Sequence, residues 1–322
     1  MNKISIQQSY DLIGDIHGHA DALEALLLKL GYRTHGVGYQ HPAGRKVIFL
    51  GDYIDRGPKI LRTLHVVRGM VDSGDALAVM GNHEYNVLAY YTPDGKGGWL
   101  RPRTREKVDH HQETLRQLVE PESAEWEDWK EWFRCLPLFL ELPGLRAVHA
   151  SWEDEAMSLA RGIRRLDDEL LHQMANPQSP LGRMKNVLLN GVELALPEGH
   201  FYSDKQGFRR RFIRLRWWED PRGKTYRQMV FPESETVPPV IIPEEVIRTR
   251  FDYPSEAVPV FNGHYWLPDH LERKPLAANI ACLDYSVAKG GRLTAYRWDG
   301  ETELKASNFV TMDEIPAASL TF

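Results

Sequence analysis

Cysteine is scarce in this chain: Cys135 and Cys282 are the two in 322 residues. Two are too few for a disulfide framework at this length, which excludes the stapled secreted scaffolds and fits a reducing compartment. No run of eighteen apolar residues occurs, so nothing reads as a membrane-spanning helix and no membrane partner is expected. Residues Met1 to Tyr10 are polar and lack the apolar core of a signal peptide, so a cytoplasmic protein is expected. Basic excess is missing too. The formal net charge is −5 and the pI about 6.2, which makes nucleic acid an unexpected partner. Acidity does not exclude an anionic substrate, because a bound metal can supply local positive charge. Repeats and low-complexity stretches are also absent. What is present is ordinary globular composition, 42% hydrophobic and 26% charged, which argues against disorder.

Short apolar runs alternate with helical patterns through the first half. Tyr10–Ile13, Val47–Leu50 and Leu77–Met80 read as buried strands, each closed by glycine. Helices are predicted over Ala22–Leu30, with Asp21 as cap, and from Pro58 through about Met70. Residues 92–105 read as loop, followed by polar amphipathic helices near Glu106–Val119 and Ser123–Arg134. Strands resume at Leu138–Leu142 and Leu145–Val148, and the end is β-rich at Val258–Phe261, Asn279–Asp284 and Leu293–Trp298. The expectation is one α/β domain over 1–322, with a helical insertion at about 92–135 and an irregular cap at about 153–253.

One pattern carries chemistry. Four apolar runs end in glycine followed by a residue able to bind a metal: Gly14-Asp15, Gly51-Asp52, Gly81-Asn82 and Gly263-His264. A fifth run ends directly in His149. Glycine permits a sharp turn and close approach, and ligands in α/β proteins gather at the carboxyl ends of strands. Five such ends can therefore converge on one place.

The fuller blocks are Gly14-Asp15-Ile16-His17-Gly18, Gly51-Asp52-Tyr53-Ile54-Asp55-Arg56-Gly57 and Gly81-Asn82-His83-Glu84. In this order, with His149 and His264 following, they resemble the calcineurin-like metallophosphoesterases. Asp55-Arg56-Gly57 resembles the phosphoprotein-phosphatase branch, and Trp266 stands where wider relatives, nucleases among them, keep a second histidine. The resemblance implies a four-layer α/β/β/α sandwich of two mixed sheets with helices outside. It implies two divalent ions, Mn foremost with Fe, Co or Zn as alternatives, which mixed oxygen and imidazole donors suit. Asp15 and His17 would hold the first ion, Asp52 would bridge, and Asn82, His149 and His264 would complete the second. His83 would act as general acid with Asp55 fixing its tautomer, and Arg56 would grip phosphoryl oxygens as a fork.

A second phosphate-binding arginine is expected from the cap, with Arg214 and Arg216 as candidates, and Tyr285 is a further substrate-contact candidate. Glu84 reads as structural, and Asp109 with His110 and His111 reads as a solvated helix face. The tryptophans of 126–132 and the pair Trp217-Trp218 read as core. The substrate expected first is a phosphomonoester on protein Ser, Thr or Tyr. The alternative is a symmetrical dinucleoside tetraphosphate, which the segment from Ala281 to Ala295 favours by its likeness to bacterial tetraphosphatase endings. A non-catalytic scaffold of the same fold is disfavoured because every expected ligand and His83 are in place. The oligomeric state is not legible.

Overall fold

The computed structural model describes residues 8–118, 123–203, 209–247 and 253–312, the side chains of Glu106 and His110 excepted. The first half runs β1 (Tyr10–Ile13), α1 (Ala20–Lys29), a hairpin of β2 (Arg33–His35) and β3 (Gly38–Gln40), β4 (Lys46–Phe49), α2 (Ile60–Asp72), β5 (Ala76–Ala78) and α3 (Asn82–Tyr91). Then come α4 (Arg105–Leu118), α5 (Ala124–Arg134), β6 (Phe139–Leu142), β7 (Leu145–Val148), α6 (Asp154–Ala160), α7 (Asp168–Ala175) and α8 (Pro180–Asn190). The remainder holds β8 (Glu193–Ala195), β9 (Tyr202–Ser203), β10 (Arg209–Arg210), β11 (Phe212–Arg214), α9 (Tyr226–Met229), β12 (Val260–Asn262), β13 (Ile280–Cys282), β14 (Thr294–Trp298) and β15 (Phe309–Thr311).

Two mixed sheets form the centre. The first has the order β15-β14-β1-β4-β5, with β1, β4 and β5 parallel and β14 antiparallel to β1. The second has the order β13-β12-β7-β6, with β13, β12 and β7 parallel and β6 antiparallel. Strand side chains alternate between faces. Leu12, Ile48 and Tyr296 of the first sheet thus meet Ala147, Phe261 and Ala281 of the second in one buried cluster. Ile13, Val47 and Phe49 point the other way, into a core shared with Leu23 and Leu27 of α1 and Leu64 and Val67 of α2. The result is a four-layer sandwich.

Helix ends follow local chemistry. Ser123, Glu153, Asp167 and Ser179 cap α5, α6, α7 and α8 by accepting from a backbone N–H three residues on, and Pro180 opens α8. Asp21 is not the cap of α1: the helix starts earlier, after His19, and Asp21 lies in its first turn. The segment read as irregular contains α6, α7 and α8, whose short apolar stripes lie between polar stretches. Trp126, Trp129, Trp217 and Trp218 are buried, as the periodicity predicts, and Trp132 is half-buried against the same core. Among the described residues no helix is long and apolar enough to cross a membrane.

Candidate active site

The parallel strands β1, β4, β5, β7 and β12 deliver their carboxyl ends to one edge of the sandwich, and the candidate ligands follow those ends. Backbone crowding there leaves no room for side chains. A Cβ on Gly51 (φ +97°) would lie 2.7 Å from the Gly81 backbone, and one on Gly263 would lie 2.0 Å from Asp15 Oδ1. His17, Asp52, Asp55, Arg56, His264 and Trp266 also have positive φ. Non-glycine residues rarely adopt that conformation, and clusters of it mark functional sites.

Asp52 is the hub. Its Oδ2 faces His17 Nε2 at 3.6 Å and His83 Nε2 at 3.8 Å, and its Oδ1 faces His149 Nε2 at 3.5 Å. Among the described residues two groups close enough to hold a metal ion share this carboxylate: His17, Asp52 and His83, and Asp52, His149 and His264. Asp15 lies alongside, both its oxygens accepting from the His264 backbone N–H at 3.1 Å. All these residues are buried.

The imidazoles are oriented so that bare nitrogens converge. His17 Nδ1 donates to Ile54 O at 2.9 Å, leaving a buried Nε2 without a hydrogen-bond partner. His149 Nδ1 donates to Leu50 O at 2.7 Å, and His264 Nε2 donates to Asn190 O at 3.0 Å. Their other nitrogens carry no proton in the neutral ring, yet both face Asn82 Oδ1, at 3.0 and 2.8 Å. Acceptors facing acceptors are repulsive unless a cation lies among them, so the donor set fits divalent metal ions. Burial holds His17 down to about 3, which keeps it a neutral ligand. Burial raises Asp15 well above the ordinary carboxylate range, with the neighbouring Asp284 and Asp52 adding to it, which is the cost of gathering carboxylates without a counter-charge.

Beside this centre His83 Nδ1 donates to Asp55 Oδ2. Asp55 Oδ1 accepts from His111 Nδ1 at 2.7 Å and from the Thr114 hydroxyl, and the Asp55 N–H donates to Thr114 Oγ1 at 2.9 Å. Burial opposes charge on His83, but the Asp52 and Asp55 carboxylates outweigh it and its pKa is raised. Burial also opposes ionisation of Asp55, and the His83 and His111 contacts override it, so Asp55 stays ionised. The Arg56 guanidinium stacks on Trp266, 4.4 Å from the ring centre, with a buried Nε that has no acceptor. A cleft of about 150 Å³ opens here, lined by Asp55, Arg56, Asn82, His83, Asn86, Tyr90, Arg101, His111, Arg214, His264 and Trp266.

Several expectations change. Arg214 reaches the cleft; Arg216 does not, because it is forked onto Glu233 at 2.6 Å and Glu219 at 3.5 Å. Tyr285 also lies off the cleft wall, packed under Arg273 at 4.3 Å. His111 is not on a solvated face. It is 5% exposed and turned into the site, because His111, Thr114 and Leu118 form the buried stripe of α4. That spacing, i, i+3 and i+7, was the available signal. Glu84 is structural: its carboxylate accepts from the backbone N–H groups of Gly81, Asp52 and Tyr53 at 3.0, 3.0 and 2.8 Å. Asp284, in the segment from Ala281 to Ala295, turns inward and accepts from the Trp266 and Ser286 N–H groups at 2.7 and 2.9 Å.

The calcineurin-like phosphoesterase family model matches residues 10–264. The chain belongs to that family. It is 34% identical to the asymmetrical bis(5'-nucleosyl)-tetraphosphatase of Halalkalibacterium halodurans over 163 residues, 49% of this chain and 58% of that protein. The chain thus spans less than two thirds of that relative's length. It is 27% identical to the symmetrical bis(5'-nucleosyl)-tetraphosphatase of Baumannia cicadellinicola over 305 residues, 89% of this chain and 88% of the relative. A Saccharomyces cerevisiae protein serine/threonine phosphatase shares the fold, with a TM-score of 0.50, 12% identity, and coverage of 97% of this chain and 81% of that one.

Proposed function

We propose that this phosphoesterase is a two-metal hydrolase that cleaves a phosphoanhydride bond of a dinucleoside polyphosphate, a symmetrical tetraphosphate foremost. The observation that carries the two-metal reading is the Asp52 carboxylate shared by two histidine groups beside the Asp55–His83 pair. His17, Asp15 and Asp52 would hold one ion, and Asp52, Asn82, His149 and His264 the other. When bound, the ions supply positive charge for the phosphoryl oxygens and acidity for the attacking water.

The protein's own groups do the rest. Arg56 forks onto non-bridging oxygens, and Trp266 beneath it keeps the guanidinium planar to the cleft. Arg214 approaches the same oxygens from the cap side. Water attacks phosphorus in line and loses a proton to solvent, the bond to the leaving oxygen breaks, and the proton on His83 Nε2 goes to that oxygen, His83 being reprotonated from solvent after the product leaves. Asp55 keeps the other ring nitrogen protonated and stabilises the imidazolium. The segment over 153–253 acts as a cap on a single unit.

The nucleotide substrate takes precedence over the phosphoprotein because the relatives bear tetraphosphatase names and because Arg56, Arg101 and Arg214 line one small cleft. A phosphomonoester is the second reading. The tightly held His83 favours it, since an alkoxide leaving group needs a proton more than a phosphate leaving group does. The test assays metal-free protein reconstituted with Mn on diadenosine tetraphosphate and a phosphopeptide side by side, with Asp52→Asn as control. Faster turnover of the dinucleotide, lost in the variant, supports the proposal. Faster turnover of the phosphopeptide replaces it with the second reading, and turnover retained in Asp52→Asn removes the shared-carboxylate mechanism.

A further inference from the structure

Three arginines line the cleft, and the reaction above uses two. Arg56 and Arg214 are assigned to the phosphoryl group under attack, while Arg101 shares the wall with no part in the chemistry. Among the described residues the cleft lining sets these three against one carboxylate, Asp55. Asp55 is already engaged: its Oδ2 accepts from His83 Nδ1, and its Oδ1 from His111 Nδ1 and the Thr114 hydroxyl. Arginine keeps its proton at any working pH, so the cleft carries this positive charge whatever the state of its histidines.

Arg101 is held in place from both ends. Its backbone N–H donates to Ala89 O at 3.0 Å, and Leu100 N–H closes the preceding loop on Thr92 O at 3.0 Å. Within that loop Asp94 accepts from the Lys96 and Gly98 N–H groups at 2.7 and 2.8 Å. Arg101 Nη1 donates to Asn86 Oδ1 at 2.6 Å, and both side chains line the cleft. Asn86 is neutral, so this bond fixes the guanidinium without cancelling its charge. Asn82 and Asn86 stand at i and i+4 on one face of α3, one turn or about 6 Å apart along the helix. Asn82 is a proposed metal ligand, so Arg101 is tied one turn outside the metal centre. The residue is half-buried, and its place in the cleft wall leaves it open to a ligand.

We propose that Arg101 is a specificity-determining residue whose positive charge holds a phosphate next in the chain to the one under attack. This rests on the nucleotide reading. A polyphosphate carries a second anion beside the first through a shared oxygen, and a guanidinium fork matches its non-bridging oxygens. A phosphomonoester has no such neighbour and gains nothing from Arg101. The residue therefore separates the two substrate classes by adding binding to one of them only.

The test uses the intact metal-loaded protein and compares kcat/KM for diadenosine tetraphosphate with that for p-nitrophenyl phosphate, which carries a single phosphate. Arg101→Gln keeps an N–H for Asn86 and removes the charge. It is expected to lower kcat/KM for the dinucleotide by about tenfold or more and to leave the monoester nearly unchanged. Arg101→Lys restores the charge, so its ratio of the two should lie between those of Arg101→Gln and wild type. Arg56→Gln, at the attacked phosphoryl group itself, should lower both substrates. Inhibition supplies a second readout. ADP and AMP, as inhibitors of dinucleotide cleavage, differ by one phosphate. Arg101→Gln should raise the inhibition constant of ADP by about tenfold and leave that of AMP as it was.

An unmoved ratio in Arg101→Gln, with wild-type protein cleaving the dinucleotide, overturns this inference alone. So does an Arg101→Lys variant no better than Arg101→Gln, since the charge is then not what binds. Equal weakening of ADP and AMP overturns it as well, because the contact is then to the nucleoside or to the attacked phosphate. Wild-type protein that cleaves only monoesters overturns both this inference and the function it rests on.

Discussion

Replacing Glu84 by Gln tests whether backbone amides, more than metal ligands alone, hold the centre in place. Glu84 is fully buried, and its two oxygens accept three backbone N–H groups, from Gly81, Asp52 and Tyr53. An amide of the same shape keeps two of these bonds if its oxygen faces Gly81 and Asp52. Its NH2 then faces the Tyr53 N–H, donor against donor. One buried donor left unpaired costs about 1–3 kcal/mol. An offset arises from charge. Burial raises Glu84 to about 7, with the Asp52 carboxylate adding to it, so removing the charge relieves a repulsion in the metal-free protein. With metals bound that relief vanishes, and an attraction to the cations is lost in its place. Urea denaturation should therefore show a loss of about 1–3 kcal/mol in the metal-loaded protein and a smaller one without metal. Weaker metal binding should accompany it, because the Asp52 backbone is anchored by the same oxygen. Equal stability of variant and wild type in the loaded state would refute the assignment of Glu84 as the amide anchor of the site.

Three further outcomes follow from particular contacts. His83→Ala should lower kcat for a phosphoserine peptide, whose alkoxide leaving group must be protonated, by roughly 10²–10⁴, with smaller losses for diadenosine tetraphosphate and p-nitrophenyl phosphate, whose leaving groups need little protonation. Gly51→Ala places a Cβ 2.7 Å from the Gly81 backbone and forces alanine to φ +97°, so a thermal melt should show destabilisation and metal titration a weakened second site. Lys185 is lowered to about 8 by burial despite the attraction of Glu193, so the folded state disfavours its charge. Wild-type stability should then rise as pH passes from about 8 toward the ordinary lysine range, where both states become neutral. Lys185→Met should lack that rise and be the more stable protein below pH 8, as denaturation at several pH values would show.

Much of the candidate centre was legible because Asp15, Asp52, Asn82, His149 and His264 each follow an apolar run, directly or after a glycine, and hydrophobic strands fix where their ends lie. Asp15, Asp52, His149 and His264 were placed by that rule alone. The wall of the cleft was not. His111 and Thr114 sit in a helix whose remaining residues are strongly polar, so the buried stripe is only one residue per turn wide and the two polar members hide it. Arg214 ends β11 and Arg216 follows two residues on; Glu219 is a local partner at i+3, but nothing in the sequence says that Glu233, seventeen residues away, also occupies Arg216. Helices α6 to α8 escaped detection because they are short and their apolar positions are interrupted by turns, so packing against one another decides them more than propensity does.

Arg56 and Trp266 lie against each other in left-handed backbone, at φ +68° and +54°. Glycine would relieve both positions, at the loss of the proposed phosphate fork and of the ring on which it stacks. Selection for heat tolerance therefore has little purchase at the cleft floor. Hardening of this enzyme should accumulate in its outer shell, at exposed apolar positions such as Leu28, Val37 and Ile241, while the floor keeps its strain.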